Sequence, residues 1–257
     1  MTGFDQVRPT RRQLLVGTAA AAAAGRLAAK PSGAVGAVAF DAFVLFDPIA
    51  IRERALPLAG AKTPAFLAAA ASRLFAYTWF YTSAGRYRGF EELAGDAFQF
   101  AAATNGISMS GADVRELTAA YSDLRLWPDV ADGIERLRSA GRRLIVLSNM
   151  PEQAIAANLS RGGIGAAFEH LLSTDRVNRY KPAPEAYRLG TATLGLPAER
   201  IAFAASAGWD AAGATWFGYP SVWVNRTGVP AEKANIPPRL VSSGMEGVLR
   251  LARVDPR

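Results

Sequence analysis

The sequence predicts an α/β fold, in which a Rossmann-like parallel sheet forms the core and carries an inserted helical cap subdomain. Three observations lead to this fold class. Four short apolar runs are spaced along the chain, a helix-like segment precedes each of the last three, and about 80 residues after the first run contain no comparable run. Strands that alternate with helices imply βαβ crossovers and a parallel sheet covered on both faces. With 257 residues, 50% of them hydrophobic, the chain can bury a sizeable core.

The four apolar runs are predicted to be strands. Residues on both faces of each run are apolar, as in the buried strands of parallel sheets. The predicted strands are residues 35–40, 144–147, 201–205 and 221–225. Three helices are predicted close to the last three strands, over residues 129–140, 184–194 and 210–216. A glycine follows at or near the end of each helix.

The stretch after the first strand has a different pattern. Apolar and aromatic residues recur there at helical spacing, which predicts helices over residues 65–82, 90–104 and 113–121. We therefore expect a cap subdomain of residues 48–127, inserted into a core formed by residues 31–47 and 128–257.

The basic charge is concentrated at the N-terminus. Of a net charge of +7, residues 1–30 carry +4, and the remaining +3 gives no reason to expect a nucleic-acid partner. Arg11 and Arg12 precede an apolar run over residues 14–24, which is too short for a membrane span of about 20 residues. This order resembles a twin-arginine export signal. It predicts a periplasmic protein without a stable membrane anchor; a basic tail or a helical anchor is the alternative.

Several classes of site are excluded by composition. The chain has no cysteine and one histidine, which rules out disulfides, Cys-ligated zinc, iron–sulfur clusters, a cysteine nucleophile and multi-histidine metal sites. No metal and no cofactor are predicted. The single histidine, His170, is expected to be a surface or sheet-edge residue.

Polar residues follow the predicted strands at their carboxyl ends, where open parallel sheets bind ligands. Asp41 follows the first strand, Ser148 and Asn149 follow the second, and residues 206–210 follow the third. Lys181 lies just before the helix that begins near Pro184. A carboxylate beside a lysine stays ionised and can act as a nucleophile.

This ordered set resembles the haloacid dehalogenase superfamily, and most closely its L-2-haloacid dehalogenase branch. The resemblance extends over residues 37–228. The motifs that carry it are Phe40-Asp41-Ala42-Phe43 with Leu45-Phe46-Asp47, Tyr77-Thr78-Trp79, Gly85-Arg86-Tyr87, Leu147-Ser148-Asn149, Lys181-Pro182-x-Pro184-x-x-Tyr187, Trp209-Asp210-Ala211-x-Gly213-Ala214 and Trp223-Val224-Asn225-Arg226.

The resemblance implies a metal-independent hydrolase of small 2-haloalkanoic acids. Asp41 would attack C2 and expel halide, and water would then hydrolyse the resulting aspartyl ester, which gives an alcohol of inverted configuration. Lys181 would keep Asp41 ionised, and Asp210 would hold Lys181 and help to activate the water. Ser148 would hold the substrate carboxylate, and Asn149 would orient the site.

The resemblance also implies substrate-binding positions. Phe43, Phe90 and Trp209 match apolar pocket positions, and Tyr187 matches a supporting tyrosine; ordinary packing is the alternative for these four residues. Tyr81 occupies the cap position where the family has the arginine that receives the halide. Members of the family form dimers through the cap, so a homodimer is an expectation by resemblance.

The sequence departs from the family pattern around the nucleophile as well. A Gly-Thr pair is replaced by Val44 alone, so the chain after Asp41 must follow a different path. Ala205 and Ala207 stand where a serine and an asparagine are expected, unless Ser206 substitutes for one of them. These losses leave three hypotheses open: a dehalogenase with altered substrate contacts, a weakly active or non-catalytic exported binding protein, and a phosphatase of the same superfamily. Phe43 replaces the acidic residue typical of the phosphatases, which disfavours the third.

Overall fold

A six-stranded parallel sheet forms the centre of the protein, in a computed structural model that describes residues 34–254. Its strand order is β5-β4-β1-β6-β7-β8, and every neighbouring pair is parallel. The strands of this sheet are β1 (Ala37–Phe40), β4 (Arg143–Ser148), β5 (His170–Ser173), β6 (Ile201–Ala205), β7 (Ser221–Val224) and β8 (Leu240–Ser242). Two further strands, β2 (Phe46–Asp47) and β3 (Arg125–Leu126), form a separate antiparallel pair.

The central strands agree with the predicted apolar runs because both of their faces are buried. Along β1, Val38 and Phe40 pack into one apolar cluster, whereas Ala37 and Ala39 pack into another on the opposite face of the sheet. All four residues of β1 are fully buried. The α/β fold class is therefore confirmed.

The sequence analysis does not predict β2 and β3, nor two strands of the six-stranded sheet, β5 and β8, which both lie at its edges. β5 and β8 each contain only two apolar residues, so neither forms a run that indicates a buried strand. His170 is the exposed first residue of β5, in agreement with the expected edge position.

Ten α-helices surround or connect these strands within the described residues. Their bounds are α1 (Ala42–Leu45), α2 (Ile49–Ala59), α3 (Thr63–Ser83), α4 (Phe90–Asn105), α5 (Gly111–Ala119), α6 (Val130–Ser139), α7 (Glu152–Arg161), α8 (Pro184–Leu194), α9 (Gly208–Phe217) and α10 (Met245–Leu251). The prediction for α8 is confirmed at both ends. None of these helices has the length and apolar content that a membrane crossing requires.

Helices α2 to α5 occupy the stretch that the sequence predicts to be helical. The pair formed by β2 and β3 brings the two ends of this stretch together, with Phe46 opposite Leu126. The assignment of residues 48–127 to a separate cap subdomain stays a prediction.

The chain leaves Asp41 through the single turn of α1, in which Val44 stands in place of the Gly-Thr pair; a path different from that of the family stays a prediction. The Asp41 side chain accepts a hydrogen bond from the backbone N–H of Phe43 at 3.1 Å and so caps this turn. At the other end, Trp127 Nε1 donates to the carbonyl oxygen of Phe43 at 3.2 Å, and Arg226 donates to the next carbonyl oxygen at 3.2 Å. These donors fix the segment that carries Asp41.

Candidate active site

Three neighbouring strands bring polar side chains to one edge of the sheet. Asp41 follows β1, Ser148 ends β4, and Ser206 follows β6. Because β4, β1 and β6 are adjacent and parallel, their carboxyl ends lie side by side. Lys181 comes from the loop before α8, and Asp210 lies in the first turn of α9. The structure thus brings together residues that are up to 169 positions apart in the chain.

A buried lysine lies between two carboxylates at this edge. Lys181 Nζ donates to Asp41 Oδ1 at 3.0 Å and to Asp210 Oδ2 at 2.8 Å. The side chain of Lys181 is 1% exposed, and that of Asp210 is 2% exposed. One ammonium group therefore serves two carboxylates in a site from which water is largely excluded.

The surroundings of this cluster shift the pKa values of its members. Burial alone would lower the pKa of Lys181, but the nearby charges of Asp210 and Asp41 outweigh it and raise the pKa above its ordinary value. Burial raises the pKa of Asp210 to about 6, although Lys181 acts in the opposite direction. Tyr187 donates from its hydroxyl to Asp210 Oδ1 at 2.7 Å, and burial followed by the charge of Asp210 raises the pKa of this phenol well above 10.0. Tyr187 therefore remains a neutral donor.

Four donors hold the two oxygens of the Asp41 carboxylate. Oδ1 accepts hydrogen bonds from Lys181 and, at 3.4 Å, from the Ser148 hydroxyl. Oδ2 accepts from the backbone N–H of Phe43 and, at 2.7 Å, from the Ser206 hydroxyl. The carboxylate therefore has one fixed orientation.

Ser206 is the contact that the sequence indicated least clearly. The sequence places it among the polar residues that follow the third strand and offers it as a substitute for one of its two alanine neighbours, without assigning it a role toward Asp41. The available signal was its position as the first residue after a buried strand that neighbours β1. A hydroxyl at that position faces the Asp41 carboxylate because both strands end at the same level.

The side chain of Asn149 positions Lys181 by binding the Lys181 backbone. The Asn149 Oδ1 atom accepts a hydrogen bond from the Lys181 backbone N–H at 3.0 Å and another from the Thr174 hydroxyl at 3.4 Å. The Ser148 hydroxyl, besides donating to Asp41, accepts from the backbone N–H of Met150 at 3.2 Å. Both predicted strand-end residues therefore belong to the network around Asp41.

An apolar cavity of about 520 Å³ reaches two residues that contact Asp41, although Asp41 itself is not among the residues that line it. Phe43 and Ser206, the two residues that donate to Asp41 Oδ2, both line this cavity. Oδ2 is therefore the carboxylate oxygen on the cavity side, while Oδ1 faces Lys181. Phe90, another predicted pocket residue, also lines the cavity.

Four of the six predicted substrate-binding residues do not line this cavity: Asn149, Tyr81, Tyr187 and Trp209. Asn149 and Tyr187 instead contact Lys181 and Asp210. Trp209 packs against Phe75 and Trp79, at ring distances of 5.2 and 5.5 Å, and borders a separate surface groove. The hydroxyl of Tyr81 accepts a hydrogen bond from Arg88 at 3.5 Å. Substrate contact by Tyr81 and Trp209 stays a prediction.

The charged groups of the cavity wall come from other parts of the chain. Among the described residues, its positive side chains are Arg52, which is exposed, and Arg226, which is paired with Asp129 at 2.9 Å.

Across residues 34–254, no group of three or more acidic or histidine side chains is arranged to hold a metal ion. The site thus combines a buried, lysine-paired carboxylate with an apolar cavity, an arrangement suited to nucleophilic attack on a carbon atom.

Comparisons with known proteins identify similar haloacid dehalogenases. A family profile described as haloacid dehalogenase-like hydrolase matches residues 20–218. The chain is 34% identical to an (S)-2-haloacid dehalogenase of Pseudomonas sp. (strain YL), over 83% of this chain and 93% of that protein. It is 33% identical to haloacetate dehalogenase H-2 of Moraxella sp. (strain B), over 69% of this chain and 80% of that protein. A crystal structure of an L-2-haloacid dehalogenase superposes with a TM-score of 0.82 at 33% identity, covering 86% of this chain and 99% of the other.

Proposed function

The chain belongs to the haloacid dehalogenase-like hydrolase family, and we propose that it is a hydrolytic dehalogenase of 2-haloalkanoic acids that acts through an ester on Asp41. The observation that carries this proposal is the Asp41 carboxylate itself. One of its oxygens is paired with buried Lys181, and the other accepts hydrogen bonds from Phe43 and Ser206, which line an apolar cavity. Relatives with about one third of their residues identical are named for this reaction, which supports the same activity here.

The first step is displacement of the halide. Asp41 Oδ2, on the cavity side, attacks C2 of the substrate, and the carbon–halogen bond breaks with its electron pair leaving on the halide. Lys181 keeps the carboxylate ionised, and the apolar walls of the cavity limit its solvation, which favours the attack. The product of this step is an ester between Asp41 and C2, with inverted configuration at C2.

The second step is hydrolysis of that ester. Water attacks Asp41 Cγ, the bond from Cγ to Oδ2 breaks, and the 2-hydroxy acid leaves with Oδ2 and one proton; the other proton of the water is released. Negative charge develops on Oδ1 during the attack. Lys181 and Ser148 already donate to Oδ1, so they form an oxyanion hole that needs no rearrangement. Asp210 holds Lys181 in this position, and its share in activating the water is part of the proposal.

The proposal is tested by halide release from purified protein supplied with (S)-2-chloropropionate. We expect chloride and (R)-lactate in equal amounts, because a single displacement at C2 inverts its configuration. Failure to release halide from any 2-haloacid would leave a binding protein on this fold. Magnesium-dependent hydrolysis of p-nitrophenyl phosphate instead would indicate a phosphatase, although Phe43 stands at the sequence position where the phosphatases carry an acidic residue.

Replacing Ser206 tests its contact with the nucleophile. We expect Ser206→Ala to lower kcat for halide release about tenfold, because one hydrogen bond that orients Asp41 Oδ2 is lost. Ser206→Thr keeps the hydroxyl and serves as the matched control, with activity close to that of the unaltered protein. Equal activity in the alanine and threonine variants would show that this hydrogen bond does not orient the nucleophile.

The pKa of Asp210 predicts the acid side of the pH profile. Since this pKa is raised to about 6, protonation of Asp210 below that pH removes the negative charge that holds Lys181, and kcat should fall. The hydrogen bond from Tyr187 lowers the pKa of Asp210, so Tyr187→Phe should move the midpoint of this fall to higher pH. Rates measured from pH 4.5 to 8.5 for both proteins test this. An unchanged midpoint in Tyr187→Phe would show that the fall in kcat does not report the protonation of Asp210.

We also propose that residues 1–30 are a twin-arginine export signal and that the mature protein is periplasmic. These residues lie outside those that the structure describes, so the proposal rests on Arg11, Arg12 and the apolar run that follows them. A fusion of residues 1–35 to a reporter should lose export when both arginines become lysine. Unchanged export would exclude this route.

A homodimer is a further part of the proposal, and it rests on resemblance to the family. Sedimentation of the purified protein should give twice the mass of one chain. The mass of a single chain across micromolar concentrations would contradict it.

A further inference from the structure

We infer that this enzyme is built for 2-haloacids with a large apolar group on C2, an alkyl chain longer than propyl or an aryl ring. The inference rests on the proposed function and specifies its substrate class. It follows from the size, the direction and the wall chemistry of the cavity beside Asp41.

The cavity is much larger than a short haloacid requires. Its volume of about 520 Å³ lies in the range of pockets that enclose ligands the size of a drug molecule. The anion of 2-chloropropionate has only three carbons, two oxygens and a chlorine. Such a ligand would leave most of the cavity unfilled, and the apolar walls would gain little contact with it.

The apolar space extends away from the nucleophile along a row of aromatic rings. Phe43, two residues from Asp41, contacts Tyr121 at a ring distance of 6.4 Å. Tyr121 in turn contacts Phe90 at 5.1 Å and Phe98 at 6.3 Å. All four rings line the cavity. A substituent on C2 can therefore lie against these rings while C2 remains at Asp41.

Small side chains on two packed helices leave room for that substituent. From α3, Ala70 and Ala71 line the cavity, and from α4, Ala94 and Ala97 do so. These wall positions offer methyl groups and no hydrogen-bond partner. A polar substituent would lose its hydration without replacement there, whereas an apolar one gains by burial.

The test is a series of (S)-2-bromo acids with propionate, hexanoate and octanoate chains, and halide release as the measured quantity. We expect kcat/KM to rise about fourfold for each methylene that the cavity buries. If kcat/KM stays flat or falls from propionate to hexanoate while halide is still released, the substrate class is wrong and the proposed function stands. If no member of the series releases halide, the proposed function itself fails.

Variants that narrow the cavity test whether the rise of kcat/KM with chain length depends on the cavity. Ala71→Leu places a larger side chain on the cavity wall at an exposed position, so folding should be preserved. It should lower kcat/KM for the octanoate at least tenfold and leave the propionate within about twofold. Ala94→Leu should act in the same direction from the opposite helix. Ala68→Leu is the matched control, because Ala68 is exposed on α3 and does not line the cavity. Equal losses on all chain lengths in Ala71→Leu would overturn the inference.

Discussion

Asp41→Asn is expected to lower kcat for halide release by at least about 10⁴-fold, the scale seen when a covalent nucleophile is removed. The amide has nearly the shape of the carboxylate but lacks the charge that attacks C2. Lys181 keeps Asp210 as an ionic partner at 2.8 Å, so the loss of one carboxylate does not leave the ammonium unpaired. The variant should therefore fold, and the loss should come from chemistry. Halide release at saturating 2-haloacid, with circular dichroism as the folding check, measures it.

Asp47→Asn is the matched control for this experiment. Asp47 also lines the cavity, but its Oδ1 accepts a hydrogen bond from the backbone N–H of Ile49 at 2.9 Å, and no contact links it to Lys181. We expect kcat for Asp47→Asn within about threefold of the unaltered protein, as for a residue outside the chemistry. If Asp41→Asn retained more than a few per cent of activity, with asparagine verified by mass spectrometry, Asp41 would not be the nucleophile.

Lys181→Met should reduce both activity and stability. The substitution leaves the buried carboxylates of Asp41 and Asp210 without a cation, and removal of one partner from a buried ion pair costs about 3–5 kcal/mol. The free energy of unfolding at pH 7, measured in urea, should fall by this order. The deficit should shrink toward pH 5, because burial raises the pKa of Asp210 to about 6 and protonation of this carboxyl group removes one unpaired charge. Halide release should fall by at least about 10³-fold, since both the ionisation of Asp41 and the oxyanion hole depend on Lys181.

Two further variants make this result specific. Lys62→Met changes an exposed lysine that donates to a backbone carbonyl, and it should alter the free energy of unfolding by less than about 0.5 kcal/mol. Combining Lys181→Met with Asp210→Asn removes one of the unpaired charges, so the double variant should be more stable than Lys181→Met alone. A Lys181→Met protein as stable as the unaltered one would contradict the described ion cluster.

Strands that are marked by a local run of apolar residues could be predicted from the sequence. Strands β1, β4, β6 and β7 have apolar residues on both faces, and this marks them as central strands. Strands β5 and β8 lie at the edges and need only two apolar residues each, so no local pattern reveals them.

The site was predictable to the extent that it follows from strand order. The rule that ligands bind at the carboxyl ends of parallel strands places Asp41 near Ser148 and Asp210, and resemblance supplied the roles of Lys181 and Asp210. The directions of single side chains could not be read in the same way. Trp209 on α9 borders a surface groove, and Ala71 on α3, rather than Tyr81 ten residues further along the same helix, lines the cavity.

The ester on Asp41 is the central claim, and a single turnover in H₂¹⁸O tests it most directly. With enzyme in excess over a 2-haloacid, the oxygen transferred to the product comes from Asp41, and the water supplies the replacement. We expect the 2-hydroxy acid to carry ¹⁶O, and mass spectrometry of the peptide that contains Asp41 to find one ¹⁸O in that carboxylate. Appearance of ¹⁸O in the product of the first turnover, with Asp41 unlabelled, would mean that water attacks C2 directly and would contradict the proposed mechanism.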